Sequence, residues 1–242
     1  MNLVVAMIIL SSPGGPTAGE LESLLPNVQE IAYTENSITY TINGVTISCG
    51  SIDAPIPVSE LSGPLKTSRY WENDDDLILN SKAHLIVSAS GPNDKKQLAS
   101  ELTHAISAIL KATDSVAVYW GGATHIVPRD VFSEIADYIP EGALPLYLWI
   151  DFRMIEEEDG TVSLFTTGMK EFDLMEVEIE RSRGSFEEIY DIGFNACHYV
   201  MDNGPVLGDG DTFGLSENQI LKVHHQESFV DRSETVINIK ME

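Results

Sequence analysis

The stretch Gly204–Gly214, GPVLGDGDTFG, sets Asp209 and Asp211 among four glycines. Two carboxylates in such a loop suit a hard cation, and the glycine amides alone suit an anion nest. Counted from Asp209 as a calcium loop, Gly214 fills the sixth place, but Phe213 occupies a ligand position and Ile220 stands where a bidentate glutamate belongs. The segment therefore reads first as a helix stop followed by turns, and second as a ligand loop.

The other chemistry-bearing residues are dispersed. His224 and His225 are neighbours in a strand-like run, so their rings point to opposite faces and at most one joins any site. His104 lies in a leucine-striped helical segment, and Cys197 and His198 diverge around another helix. There is no H-E-x-x-H and no G-x-S-x-G. Cys197 falls on an apolar helix face, where burial keeps a thiol inert, and Cys49 ends a strand. Pro13-Gly14-Gly15 sits between a strand and a helix, where phosphates often bind, yet both glycine-rich nucleotide motifs are missing and no Lys or Arg is near. Trp120-Gly121-Gly122 brings backbone close to a neighbour beside a flat indole. Tyr70 and Trp71, in a polar connection, read as anchors of that loop on the core.

The residues that a ligand site would draw on are Trp120, Gly121, Thr167, Gly168, Asp209, Asp211 and His225. No catalytic residue, metal-ligand set or cofactor is assigned.

The elements that must position them follow from pattern. Leu3–Leu10 is an apolar run with turn material after it, read as a buried strand. Thr17-x-x-Glu20 forms a capping box that opens a short helix through Leu25. Asn43-Gly44 between two β-branched runs predicts a two-residue hairpin. Asp53–Asn80 reads as a long connection with a helical turn near Asp74. His84–Ser90 is a strand, and Asn93 or Asp94 then caps a helix with Leu98, Leu102, Ile106, Ile109 and Leu110 on one face. Val116–Gly122 is the next strand, and Pro128 opens a helix with Phe132, Ile135 and Ile139 inward. LPLYLWIDFRMI, TVSLFTTGM and LMEVEIE read as a three-strand meander with one wet face. Ser185-x-x-Glu188 opens a helix ending at Gly204, and ILKVHHQESF and ETVINIK are two closing strands. The class is α+β, mainly antiparallel with helices on the sheet faces. It is read as one domain over 1–242, with a division into two similar lobes, 1–127 and 128–242, kept open.

Composition narrows the partners. Fourteen Lys and Arg against 38 Asp and Glu give a formal charge of −24, which repels nucleic acid and anionic membranes and attracts basic proteins. Two cysteines outside any paired motif fit a reducing, cytoplasmic setting, and no apolar stretch reaches the roughly 20 residues that cross a bilayer.

Several segments in order, from APIP at 54–57 through VYWGG and LPLYLWIDFR to Thr166–Met169 with Glu176 and Glu178, and then Gly208–Gly214, resemble the bacterial family catalogued as domain of unknown function 4261. The resemblance implies a shared fold and an intracellular bacterial origin, and it transfers no catalytic residue. The Thr-Thr-Gly-Met and Glu pattern is also similar to suppressor-of-fused-like domains, some of which neutralise toxins by binding them. The residues and the resemblance together predict a non-enzymatic binding module, immunity- or regulator-like, that engages a basic partner through an acidic face. The alternative is a small-ligand binder or enzyme built on the Trp120–Gly122, Thr166–Met169 and Gly208–Gly214 loops; a homodimer is the third arrangement.

Overall fold

The computed structural model describes residues 1–25, 27–71, 75–92, 94–138, 143–216 and 218–241. The chain divides into two compact units, Met1–Trp149 and Ile150–Glu242. The boundary falls well beyond residue 128, because the strand and helix on either side of Pro128 pack with the first sheet.

In the first unit the strands are β1 (Asn2–Leu10), β2 (Gln29–Tyr33), β3 (Ser37–Ile42), β4 (Val45–Ile52), β5 (Ala83–Gly91), β6 (Ser115–Trp120) and β7 (His125–Pro128). The helices are α1 (Ala18–Leu24), α2 (Val58–Leu61), α3 (Pro64–Thr67), α4 (Asp75–Leu79), α5 (Lys95–Ala112), α6 (Arg129–Asp137) and α7 (Leu146–Trp149). The strands form one antiparallel sheet in the order β2-β3-β4-β5-β1-β6-β7. β1 is interior to that sheet, which is why Leu3–Leu10 carries apolar residues almost without interruption.

Asn43 and Gly44 both take positive φ, 50° and 78°, and so close the β3–β4 hairpin with Ile42 opposite Val45. Asp94 caps α5 by accepting from Gln97 N at 2.9 Å, and Leu98, Leu102, Ile106, Ile109 and Leu110 are buried. Each such aliphatic side chain removed from water contributes roughly 1.5–3 kcal/mol. The opposite face of the sheet is partly covered by the 53–80 connection, whose Ile56, Leu61 and Ile78 join Ile9, Ala117 and Ile126 in one cluster. Trp71 packs against that cluster and its Nε1 donates to Asp75 Oδ1 at 3.0 Å, so it anchors the connection. Asp74, Asn93 and Ile139, placed by the sequence at a helical turn, a cap and a helix face, lie outside the described residues.

The second unit holds β8 (Asp151–Glu156), β9 (Val162–Thr167), a 3-10 turn (Met169–Phe172), β10 (Val177–Ser182), α8 (Phe186–Asn203), β11 (Thr212–Phe213), β12 (Leu221–Glu227) and β13 (Thr235–Lys240). Its sheet runs β11-β12-β13-β10-β9-β8, antiparallel apart from the parallel β10–β13 pair. Ser185 caps α8 by accepting from Glu188 N. The helix closes onto the sheet at Gly193, where a Cβ would lie 2.8 Å from Leu164 Cδ2. Among the described residues no helix is long and apolar enough to cross a membrane.

Two local expectations are corrected. LPLYLWIDFRMI is not one strand: Leu146–Trp149 is a helical turn, with Leu148 N donating to Pro145 O, and β8 begins only at Asp151. Nor is the acidic face of LMEVEIE wet, since Glu176 and Glu178 are 8% and 2% exposed and their carboxylates are taken up by hydrogen bonds.

Candidate functional site

The seven residues singled out from sequence are divided between the units. In the first, Trp120 ends β6 fully buried, stacked on Trp149 with ring centroids 6.4 Å apart. Gly121 follows because a Cβ there would sit 2.9 Å from Val5 O, to which its own N–H donates.

In the second unit, Thr167 ends β9 opposite Asp151, and Gly168, with φ of 128°, donates its N–H to Glu176 Oε1 at 2.9 Å. Asp209 Oδ1 accepts from His225 N at 3.0 Å and lies 3.7 Å from His224 Nδ1. Asp211 Oδ2 accepts from Gly208 N at 2.7 Å. His225 Nε2 donates to Leu207 O at 2.8 Å, the carbonyl being able only to accept.

Sheet geometry keeps these residues apart. β9 and β12 are separated by β10 and β13, about 14 Å across three strand spacings. The registers also align His225 with Ile237, in a row whose side chains face away from that of Thr167. His224 stands opposite Asn238 on the other face. Asp209, Asp211 and His225 do come together, as the hydrogen-bonded turns that follow the α8 stop at Gly204, φ 83°. Among the described residues no group of three or more His, Cys, Asp or Glu side chains is placed to hold a metal ion.

The carboxylates of the second unit serve the backbone. Glu176 accepts from Thr166 Oγ1 at 2.7 Å and from the N–H groups of Gly168, Met169 and Lys170, capping the 3-10 turn. Thr166 Oγ1 in turn accepts from Val177 N at 2.8 Å. Glu178 accepts from Ser228 Oγ at 2.5 Å and Phe229 N at 3.1 Å, pinning the β12–β13 turn. Burial pushes its pKa up, with the charges of Glu180 and Glu176 adding to the rise. Both thiols are buried: desolvation pushes Cys49 up to about 12 and Cys197 well above the ordinary range.

A concavity lies within the first unit, at the end of the sheet where β1 leaves and β5 enters. It is an open cleft of about 740 Å³ between the Pro13–Thr17 loop with the start of α1 and the Tyr33–Ser37 turn, with Cys49, Ser51 and Leu85 on the sheet side and Asp53 beside them. That volume is typical of a site for a small molecule or an inserted side chain.

Its chemistry is set by what already occupies its walls. A carboxylate already stands at the start of α1, where Thr17 N and Oγ1 donate to Glu20 Oε2 at 2.8 and 2.7 Å and Glu20 N donates back to Thr17 Oγ1. The backbone bond holds the Glu20 pKa low, with the Thr17 hydroxyl assisting. Glu35 and Asp53 are exposed lining residues with no ion-pair partner among the described residues, and no Lys or Arg lines the cavity. The whole stretch 1–65 contains Glu20, Glu22, Glu30, Glu35, Asp53 and Glu60 and not one Lys, Arg or His. Glu35 and Asp53 were not among the residues picked out from sequence; this cation-free run is the signal that points to them.

The second unit is thus an α+β sheet-and-helix module whose buried glutamates brace its turns. Residues 165–240, all within it, match the family model described as Domain of unknown function (DUF4261). The segments APIP, VYWGG and LPLYLWIDFR lie outside the matched residues. Comparison with curated proteins and with solved structures gives no match.

Proposed function

We propose that this chain is a non-enzymatic, cytoplasmic binding module that engages a basic protein through the acidic rim of the first-unit cavity. The observation that supports the reading is the pairing of an open cleft of about 740 Å³ with two carboxylates that have no ion-pair partner among the described residues and no cationic lining side chain. A lysine or arginine entering there would meet Glu35 and Asp53 without first breaking an existing ion pair.

Because both carboxylates are exposed, each pairing adds no more than roughly 0.2–1 kcal/mol. The formal charge of −24 acts mainly on encounter, by steering a basic surface inward. The volume also suits a second reading, in which a small organic cation fills the same cleft.

The test is affinity capture from the parent cell with wild-type protein and with a Glu35→Gln, Asp53→Asn variant, at about 50 and 300 mM salt. A basic protein held by wild type at low salt, and lost both on substitution and at high salt, is the expected result. Capture that ignores both substitutions overturns the reading. Saturable binding of spermidine or arginine, abolished in the variant with no protein captured, selects the small-cation alternative.

A further inference from the structure

The first sheet is closed at one edge and open at the other. At its β7 edge His125, Ile126 and Val127 are buried and the strand ends in Pro128, which has no N–H to offer. At its β2 edge four of the five residues Gln29–Tyr33 are exposed, the strand contains neither Lys nor Pro, and among the described residues no strand pairs with it beyond β3. A bulge between Gln29 and Ala32, with Glu30 at φ 53°, blunts this edge only at the end away from Tyr33.

Tyr33 joins the open edge to the acidic cleft. Thr34 N donates to Ser37 O at 2.8 Å, which makes the neighbouring Tyr33–Ile38 pair one that exchanges no main-chain bonds. The N–H and C=O of Tyr33 therefore point away from β3, out along the sheet plane. Its side chain, 75% exposed, stands on the same face as that of Ile38, and both line the cleft. A chain laid against this edge would bond main chain to main chain at Tyr33. The residue opposite would send its side chain onto the cleft face, beside the Tyr33 ring and toward Glu35 and Asp53.

We infer that the basic partner of the cleft binds as an added strand: an extended segment pairs with the open edge of β2, and a Lys or Arg opposite Tyr33 enters the cleft. The inference rests on the reading of the cleft as the partner's site. Charge fixes the occupant. Glu30 lies on the edge strand, Glu35 and Asp53 line the cleft beside it, and residues 1–65 hold no Lys, Arg or His. A second copy pairing edge to edge would bring like charges together, whereas a cationic segment is attracted along its length. The exposed Tyr33 ring adds a face on which a cation can rest. Main-chain pairing then supplies affinity, and the cleft selects the side chain.

Fluorescence anisotropy of the full chain tests this with a labelled peptide of about seven residues, alternating Thr and Val with Lys at its centre. Two relatives of the probe separate the contributions. One has the main-chain nitrogen of the lysine methylated, which keeps the charge and removes the donor; the other has norleucine in place of lysine. The expected result is saturable binding below about 1 mM, weakened about fivefold or more by either change. On the protein, Tyr33→Pro should bind the lysine probe about fivefold more weakly than Tyr33→Val, because both remove the ring and only proline removes the outward N–H, a loss that an edge strand tolerates. If the proline variant misfolds, the methylated probe still decides. Failure of the lysine probe to bind below about 1 mM, or equal binding of either relative, overturns the inference. Equal binding of the methylated probe together with loss of binding in Glu35→Gln, Asp53→Asn leaves the cleft reading standing without strand addition, so the two proposals fail separately.

Discussion

Removing the Glu176 carboxylate should loosen one turn of the second unit by an amount that its contacts set. The group is 8% exposed and accepts four hydrogen bonds, two short, from Thr166 Oγ1 at 2.7 Å and Gly168 N at 2.9 Å, and two at 3.3 Å from Met169 and Lys170. Hydrogen bonds to an ionised acceptor contribute about 1.5–3 kcal/mol each, and a buried donor left unpaired costs about 1–3. Counting the two short bonds alone, Glu176→Ala should cost roughly 3–5 kcal/mol, a large share of the 5–15 kcal/mol that holds a domain folded. Glu176→Gln keeps one oxygen acceptor but turns an NH₂ toward other donors, and should cost about 2 kcal/mol.

The readout should be local, because Trp71, Trp120 and Trp149 all lie in the first unit. Amide hydrogen exchange at Gly168, Met169 and Lys170 should quicken about 30-fold in Glu176→Gln, the kinetic equivalent of 2 kcal/mol. The far-ultraviolet urea transition should move to lower denaturant. Thr166→Val should cost about 1–2 kcal/mol and couple to Glu176 in a double-mutant cycle, since its hydroxyl serves Glu176 and Val177 together. If those three amides exchange at wild-type rates in Glu176→Ala and the urea midpoint stays put, the assignment of Glu176 as the brace of the Thr-Thr-Gly-Met turn is wrong.

Glu178 should leave a pH signature of its own. Its folded pKa is raised, chiefly by burial, so its contribution to stability is present below the ordinary glutamate value of about 4.3 and is lost as pH rises through the folded value. The stability of wild type minus that of Glu178→Gln should therefore fall as pH rises above the ordinary glutamate value, and a flat or rising difference contradicts the burial argument. Glycine substitutions should separate crowding from backbone strain: at Gly214 a Cβ would stand 1.9 Å from Gln219 O, whereas at Gly204 nothing lies within 4 Å and only the φ of 83° opposes a side chain. Gly204→Ala should cost about 1 kcal/mol and Gly214→Ala at least about 2, in urea titrations of the full chain, and equal costs would refute the distinction.

Local chemistry fixed much of this protein before any packing was considered. Thr17 and Glu20, Asn43 and Gly44, Asp94 and Ser185 act within three residues of themselves, and each cap or turn forms where its own dihedral and hydrogen-bonding preferences place it. β-Branched runs around Asn43-Gly44 placed β3 and β4, alternation placed β10, and the parity of adjacent strand residues set His224 and His225 on opposite faces. Outside the reach of such rules were the strands that pair without a strong pattern. β2 is an exposed edge, β7 has four residues and β11 has two, so none has room to show a period.

Only tertiary structure decided which polar residues meet. Alternation marks Glu176 and Glu178 as surface residues, yet one caps a turn that precedes it and the other receives a hydroxyl from Ser228, fifty positions on. The cavity joins residues from 13 to 85, because antiparallel pairing brings the start of β3, the end of β4 and the start of β5 to the end where β1 leaves. Charge is a property of the sequence alone. Its concentration at a cavity rim, with Glu35 and Asp53 lining one cleft, arises only when strands far apart in the chain are set side by side.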